Sequence, residues 1–336
     1  MERTVQNVVL FGAGASAFSK NVLPKAPPLG RSLYSELVEQ YPVEWGVLSH
    51  ELKSAFECDF EAGMVALMNC GDLDTFYSCM RTLSVYFSQF RVDAGANDLY
   101  SMFLRAIGER GLLSHTLFST LNYECILESA AEGLAIQVRH PDQPPSPHQA
   151  AVWKLHGACN ILPPPVEMQF EDVKVDGIPL NRFLLVDGPL TAVPRDSVQY
   201  HLEEFTTLFS VMAMYAPGKE ASFAPSVFAG LQHHWSRMVL TARLVLVIGV
   251  KFTPEDHHIW EPLTSTPATV LFVGSEASFR DWTSSDNGGD RRFICRQFSD
   301  AIEPLANAMA LSTFGLLRHR RRLPALLARS RGLSRD

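Results

Sequence analysis

The feature that most constrains this chain lies near its start: an unbroken apolar run, Val8-Val9-Leu10-Phe11, that stops on Gly12-Ala13-Gly14-Ala15-Ser16. A strand without polar alternation has both faces covered, as a central strand of a parallel sheet does. Gly12-x-Gly14-x-x-Ala17 is then the spacing that turns a backbone sharply from strand to helix while its amides can face a phosphate. A plain strand-to-helix turn uses the same spacing. Either way the run predicts an α/β architecture whose ligand edge lies at the carboxyl ends of the strands.

Further strands are predicted near 115–119, 136–139, 152–155, 244–249 and 269–274. The last two end on Gly249 and Gly274, which suits close backbone approach to a ligand. Residues 20–30 hold Pro24, Pro27, Pro28 and Gly30 and predict an irregular loop over the first strand's end. From 32 to 110 the period is helical, with Leu33, Leu37 and Val38 on one face and Phe76, Met80, Leu83, Val85 and Phe87 on another. This reads as a helical insertion closing over the first turn. A helix is also expected between Glu124 and Leu134. The proline-rich stretch 163–194 predicts a β-rich excursion. Residues 1–285 are thus expected to form one domain and 286–336 a helical, arginine-rich tail.

With 46% hydrophobic and 19% charged residues in 336, the composition is that of a soluble globular protein. A net charge of -7 speaks against a surface that grips nucleic acid everywhere. The exception is the tail, where Arg318, Arg320, Arg321, Arg322, Arg329, Arg331 and Arg335 make either a solvated helix end or a docking, nucleic-acid-contacting segment. The first residues show no secretory pattern and no run is long enough for a membrane helix, so a cytoplasmic address is expected. The six cysteines form no Cys-x-x-Cys pair. His233-His234 and His257-His258 are doublets without helical ligand spacing, and no metal is expected.

Two motifs carry candidate chemistry. Thr120-Leu121-Asn122-Tyr123-Glu124 follows a strand, where Asn122 can hold a ribose hydroxyl or a water and Glu124 can accept from a carboxamide. The competing reading makes Asn122 the cap of the next helix, with Glu124 in its first turn. In Trp153-Lys154-Leu155-His156-Gly157, the imidazole of His156 stands at a strand end, either as a structural group or as a general base. The acid that a dehydrogenase sets on its adenosine ribose has only Glu36 and Glu39 as candidates, both in helical sequence. Lys219 is either a phosphate contact or an exposed loop lysine.

In this order the motifs resemble those of the sirtuin superfamily, and more narrowly its divergent bacterial branch in antiphage defence. The Gly-Ala-Gly-x-Ser turn falls on Gly12 to Ser16, the Thr-x-Asn-(Ile or Tyr)-(Asp or Glu) motif on Thr120 to Glu124, and Lys-Leu-His-Gly on Lys154 to Gly157. An Ile-Gly strand end followed by Asp256, His257 and His258 is similar to the same branch. The likeness spans about 5–280. The four-cysteine zinc module, the Gly-Thr-Ser and the Asp-Phe-Arg of protein-deacylating members are missing, which points away from acyl-lysine peptides.

The resemblance implies a Rossmann-like parallel sheet with a helical insertion and no zinc module. It implies NAD+ as substrate, bound by Gly12, Ala13, Gly14, Ala15, Ser16, Thr120, Asn122, Glu124, Gly249 and Gly274, with Asn122 and His156 catalytic. The activity implied is that of an NAD+ glycohydrolase. It would be gated by homo-oligomerisation or by a partner such as a HerA-type ATPase or an Argonaute-like protein. A deacylase, an ADP-ribosyltransferase, or a non-catalytic subunit that binds NAD or ADP-ribose are the alternatives.

Overall fold

A computed structural model describes residues 5–93, 95, 97–139, 149–163, 190–204, 209–213, 224–284 and 288–315. The first strand, β1 (Asn7–Phe11), is buried along its whole length, as its unbroken apolar run requires. Two minor strands, β2 (Val22–Leu23) and β3 (Arg91–Val92), pair antiparallel at either end of the helical insertion. β4 (Thr116–Thr120), β5 (Gln137–Arg139) and β6 (Gln149–Lys154) continue the main sheet. After the small antiparallel pair β7 (Ile161–Leu162) and β8 (Thr191–Ala192), the sheet is completed by β9 (Leu244–Ile248), β10 (Thr269–Val273) and β11 (Arg291–Cys295).

The seven-stranded sheet has the order β11-β10-β9-β1-β4-β6-β5, and every pairing in it is parallel. This is the doubly wound α/β arrangement that the first strand predicts. The chain runs from β1 out to β5 on one side and from β9 out to β11 on the other. The order therefore reverses between β1 and β9, the position where open α/β sheets hold ligands.

Side chains of successive strand residues alternate between two cores. Val9, Phe11, Phe118, Leu246 and Ile248 face one of them. It also takes in the insertion helices α2 (Gly30–Gln40), α3 (His50–Cys58), α4 (Phe60–Asn69), α5 (Leu73–Ser88) and α6 (Leu99–Gly108), which follow the one-turn helix α1 (Ala13–Ser16). Val8, Leu10, Leu117, Val245 and Val247 face the other core. There they meet Trp235 and Val239 of α9 (Pro225–Thr241), Ile259 and Trp260 of α10 (His257–Ser265), and Trp282 of α11 (Glu276–Thr283). The remaining helices are α7 (Ile126–Gly133), α8 (Val198–Glu204) and α12 (Phe298–Thr313). Each fully buried Val, Leu, Ile or Phe stabilises this layering by about 1.5–3 kcal/mol relative to exposure.

The helical insertion follows most of its sequence pattern, with β3 interrupting it. Leu33, Leu37, Phe76, Met80, Leu83 and Phe87 enter the large core, while Val85 turns to a small cluster with Leu162, Val198 and Leu202. Two expectations change. The reading that ends the sheet at 285 misses β11, whose Arg291 and Arg292 obscure a half-buried edge strand. Phe298 of α12 also packs on Phe11, Tyr100 and Phe103, so this stretch belongs to the α/β body. Most of the 163–194 excursion, Lys219 and the arginines from 318 onward lie outside the described residues. Among the described residues, no helix is long and apolar enough to cross a membrane.

Candidate active site

Parallel register brings the motifs to one edge. Phe11 pairs with Thr120 and with Ile248, Thr120 with Lys154, and Ile248 with Val273. Gly12, Leu121, Leu155, Gly249 and Gly274 therefore emerge side by side from strands spaced about 4.8 Å apart.

At the reversal point two glycine turns interlock. The Gly12 amide donates to the Ile248 carbonyl, the Gly14 amide to Gly249 and the Ala15 amide to Gly12, each at 2.9 Å. A Cβ on Gly14 would lie 2.9 Å from the Gly249 oxygen, and one on Gly249, which has φ +68°, only 2.1 Å from the Ala15 nitrogen. These glycines are required because backbone packs on backbone. The expectation that the turn's amides point at a phosphate is narrowed here: three of them are spent on the protein's own carbonyls. Gly274 lies next to this lock, its missing Cβ 3.8 Å from Gly249.

Behind the turn is a buried polar knot that joins the first two motifs. Asn122 Nδ2 donates to Ser16 Oγ at 3.0 Å, Glu124 Oε1 at 3.0 Å and the Gly12 carbonyl at 3.2 Å. Ser16 Oγ donates to Glu124 Oε1 at 2.5 Å and lies 2.7 Å from the Tyr100 hydroxyl. Burial, reinforced by the Glu124 charge, holds the Tyr100 phenol well above its ordinary pKa. Tyr100 therefore stays protonated and donates to Ser16, whose single proton is already given to Glu124. The other Glu124 oxygen accepts the Ile126 amide at 2.9 Å. Glu124, not Asn122, thus makes the side-chain bond at the start of α7. It anchors the Asn122 amide, whereas the resemblance has it reach for a carboxamide. With its two protons committed inside the knot, the Asn122 amide has Oδ1 as the acceptor to offer a ligand.

Lys154 ties the third motif to the second. Its buried Nζ donates to the Glu124 carbonyl, lies 3.5 Å from the Asn122 carbonyl and forms an ion pair with Glu128 at 3.0 Å. Burial opposes its charge, but Glu128 and other nearby acidic groups outweigh burial and raise the ammonium pKa. Burial raises the Glu128 carboxyl in turn, with Lys154 pulling the other way. The sequence motif contains Lys154, yet gives no sign that it clamps a loop two carbonyls deep.

His156 is buried at the end of β6. Its carbonyl accepts the Ala213 amide at 2.7 Å, and Gly157, at φ +77°, leaves room for Val211, whose oxygen would lie 2.0 Å from a Cβ there. The His156 Nε2 lies 2.9 Å from Nε2 of His258, in the first turn of α10. Asp256, the N-cap residue of that helix, does not cap it with its side chain. Donor atoms of His156, Asp256 and His258 all lie within 4.8 Å of one another. The expectation of no metal-ligand pattern is corrected in this respect: His258 faces inward while His257 is exposed, and the partner of His258 lies a hundred residues away in sequence. Glu36 is held by Lys25 of the proline-rich loop at 3.0 Å and by Tyr86 of α5 at 2.6 Å.

No protein-family model matches the sequence, and no curated protein matches it. Among solved structures, the chain is similar to a Sir2 homologue in complex with NAD. The identity is 12%, the TM-score 0.47, and the match covers 92% of this chain and 90% of that one. It is also similar to Sir2 in complex with an inhibitor, 2′-O-acetyl-ADP-ribose and a deacetylated p53 peptide, at 13% identity and TM-score 0.43, over 93% and 94% of the two chains. A third similar structure is a mutant Sir2 homologue with ADP-ribose, at 12% identity and TM-score 0.44, over 94% of both.

Proposed function

We propose that the chain is an NAD+ glycohydrolase, cleaving the bond between nicotinamide and ribose. The observation that carries this reading is the union of three remote motifs at one sheet edge. Asn122 is hydrogen-bonded to the Gly12–Ser16 turn, and Lys154, two residues before His156, clamps the Asn122 loop.

In this reading the pyrophosphate lies along the turn at the reversal point, and the nicotinamide ribose lies between Asn122 and His156. The nicotinamide ring is positively charged while bonded and leaves as a neutral molecule, so charge passes to the ribose in an oxocarbenium-like state, as in glycoside cleavage generally. Asn122 Oδ1 accepts from a ribose hydroxyl or from the attacking water. His156 accepts a hydroxyl proton as charge grows at the anomeric carbon. A positioning knot in which every bonded group is buried keeps the Asn122 amide from rotating, and that preorganisation supplies catalysis without titrating.

Depletion of NAD+ in antiphage defence is the biological role we propose. An unregulated enzyme of this kind harms its host, so activity is gated by self-association or by a partner protein. Product analysis tests the reaction: equal amounts of nicotinamide and ADP-ribose from NAD+ and water alone support hydrolysis. Nicotinamide release that requires an acyl-lysine or protein acceptor would move the assignment to a deacylase or ADP-ribosyltransferase. Tight binding without turnover would make the chain an assembly subunit.

A further inference from the structure

We propose that His156, Asp256 and His258 form a binding site for a divalent transition ion of the zinc class, and that the ion switches the proposed NAD+ hydrolysis off. The inhibitory half rests on the reading of His156 as the base. The binding half does not.

The donor set is two imidazoles and one carboxylate, the chemistry that suits zinc and its neighbours rather than calcium or magnesium. Among the described residues, these three bring their donor atoms within 4.8 Å of one another. The two Nε2 atoms stand 2.9 Å apart, with ring planes inclined at 55°. Zinc–nitrogen bonds of about 2.0–2.1 Å at the tetrahedral angle put two nitrogens about 3.3 Å apart. A widening of about 0.4 Å therefore converts the present contact into a pair of metal bonds.

The carboxylate shows the same bias. An aspartate at a helix N-cap ordinarily accepts an amide from the first turn. Asp256 occupies that position on α10 without capping it, and its oxygen lies beside the two imidazoles instead. Two of the three ligands are supplied by one short stretch at the start of α10 and the third by the end of β6. The ion would thus bridge the two halves of the sheet edge across β1 and β4.

Proton accounting gives the consequence. In the metal-free site one Nε2 carries the proton of the histidine–histidine hydrogen bond. When the ion enters, that proton moves to Nδ1 of the same ring, both imidazoles remain neutral, and both Nε2 lone pairs bind the metal. A neutral imidazole has only one basic lone pair. Metal-bound His156 has none left to accept a hydroxyl proton, so the base is out of service while the ion stays.

The test uses the full chain, freed of metal and titrated with Co2+ as a visible probe, followed by displacement with Zn2+. The expected result is one Co2+ per chain with d–d bands that Zn2+ abolishes. His258→Ala and Asp256→Asn, each checked for folding by circular dichroism, should weaken Co2+ by more than the about 10–100-fold that loss of an outer-shell partner costs. His257→Ala, which removes the exposed neighbour, should leave the bands in place. Absent bands in the folded protein, or bands unchanged in both inner variants, overturn the site. A parallel assay adds Zn2+ to the active enzyme. Loss of NAD+ consumption reversed by chelator supports the switch, and undiminished turnover with Zn2+ bound overturns it. If the chain consumes no NAD+ at all, the function proposed above fails while the Co2+ titration still decides the site.

Discussion

The two halves of the sheet edge are built on opposite principles. On the Asn122 side, Ser16, Tyr100, Asn122 and Glu124 form a buried, mutually hydrogen-bonded knot. On the His156 side, one imidazole leans on another, and their shared proton can sit on either ring. The first half has one arrangement. The second has at least two, differing by a tautomer, and is the half to which we assign proton transfer. The difference shows where rigidity serves the site and where chemistry requires freedom.

The largest effect is expected of His156→Ala. Loss of one positioned general base should lower NAD+ consumption about 10²–10⁴-fold, read as initial rates on protein shown to be folded. Full activity in this variant would show that His156 is not the base. On the rigid side the largest effect belongs to Lys154→Met, which leaves Glu128 without its cation. Breaking a buried pair costs about 3–5 kcal/mol, measurable by urea unfolding.

That pair also gives a pH test. The folded-state pKa of Lys154 is raised above the ordinary 10.5, so the folded chain holds this proton more tightly than the unfolded one. Its contribution should be full at neutral pH, begin to fall as pH passes the ordinary lysine value, and vanish above the raised one. The stability gap between wild type and Lys154→Met should therefore narrow in strong alkali, as Lys154 gives up its proton, and again in acid, as the Glu128 carboxyl that Lys154 no longer holds down takes one up. A gap that closes near neutrality would contradict the clamp.

Glycines separate crowding from backbone angle. Gly249→Ala meets both a positive φ and the Ala15 nitrogen, and should cost about 2–4 kcal/mol from conformational strain plus overpacking. Gly71 has φ +80° with nothing within 4 Å of a Cβ, so Gly71→Ala should cost about 1–2 kcal/mol from the angle alone. Equal losses in thermal unfolding would deny the interlock. The smallest effect is expected of Tyr100→Phe, which removes one donor from the knot and should cost about 0.5–1.5 kcal/mol. A loss of activity larger than this loss of stability would give Tyr100 a place against substrate.

Much of this architecture could be read from the chain because apolar runs and their terminal glycines are local signals. The strands around Val8, Leu117, Val152, Leu246 and Leu271, the insertion helices and the shared edge follow from pattern alone. β11 does not, since its paired arginines look like a solvated segment until β10 is there to pair with. Tyr100 had no signal at all: an aromatic in an apolar helix looks like core until a serine hydroxyl approaches it. The reason for the glycines was legible only in part, because their spacing identifies a turn but not what crowds it. His258 illustrates the remaining gap. Its doublet could be seen in sequence, but which member faces inward depends on where α10 starts and how the loop after Gly249 crosses the edge.

The proposed function requires that the Gly12–Ser16 turn, Asn122 and His156 surround one dinucleotide. A crystal structure of the protein soaked with ADP-ribose tests it most directly. The pyrophosphate should lie along the turn, with the terminal ribose within hydrogen-bond reach of Asn122 Oδ1 and the His156 ring. ADP-ribose held elsewhere on the chain, with Asn122 and His156 untouched, would contradict it.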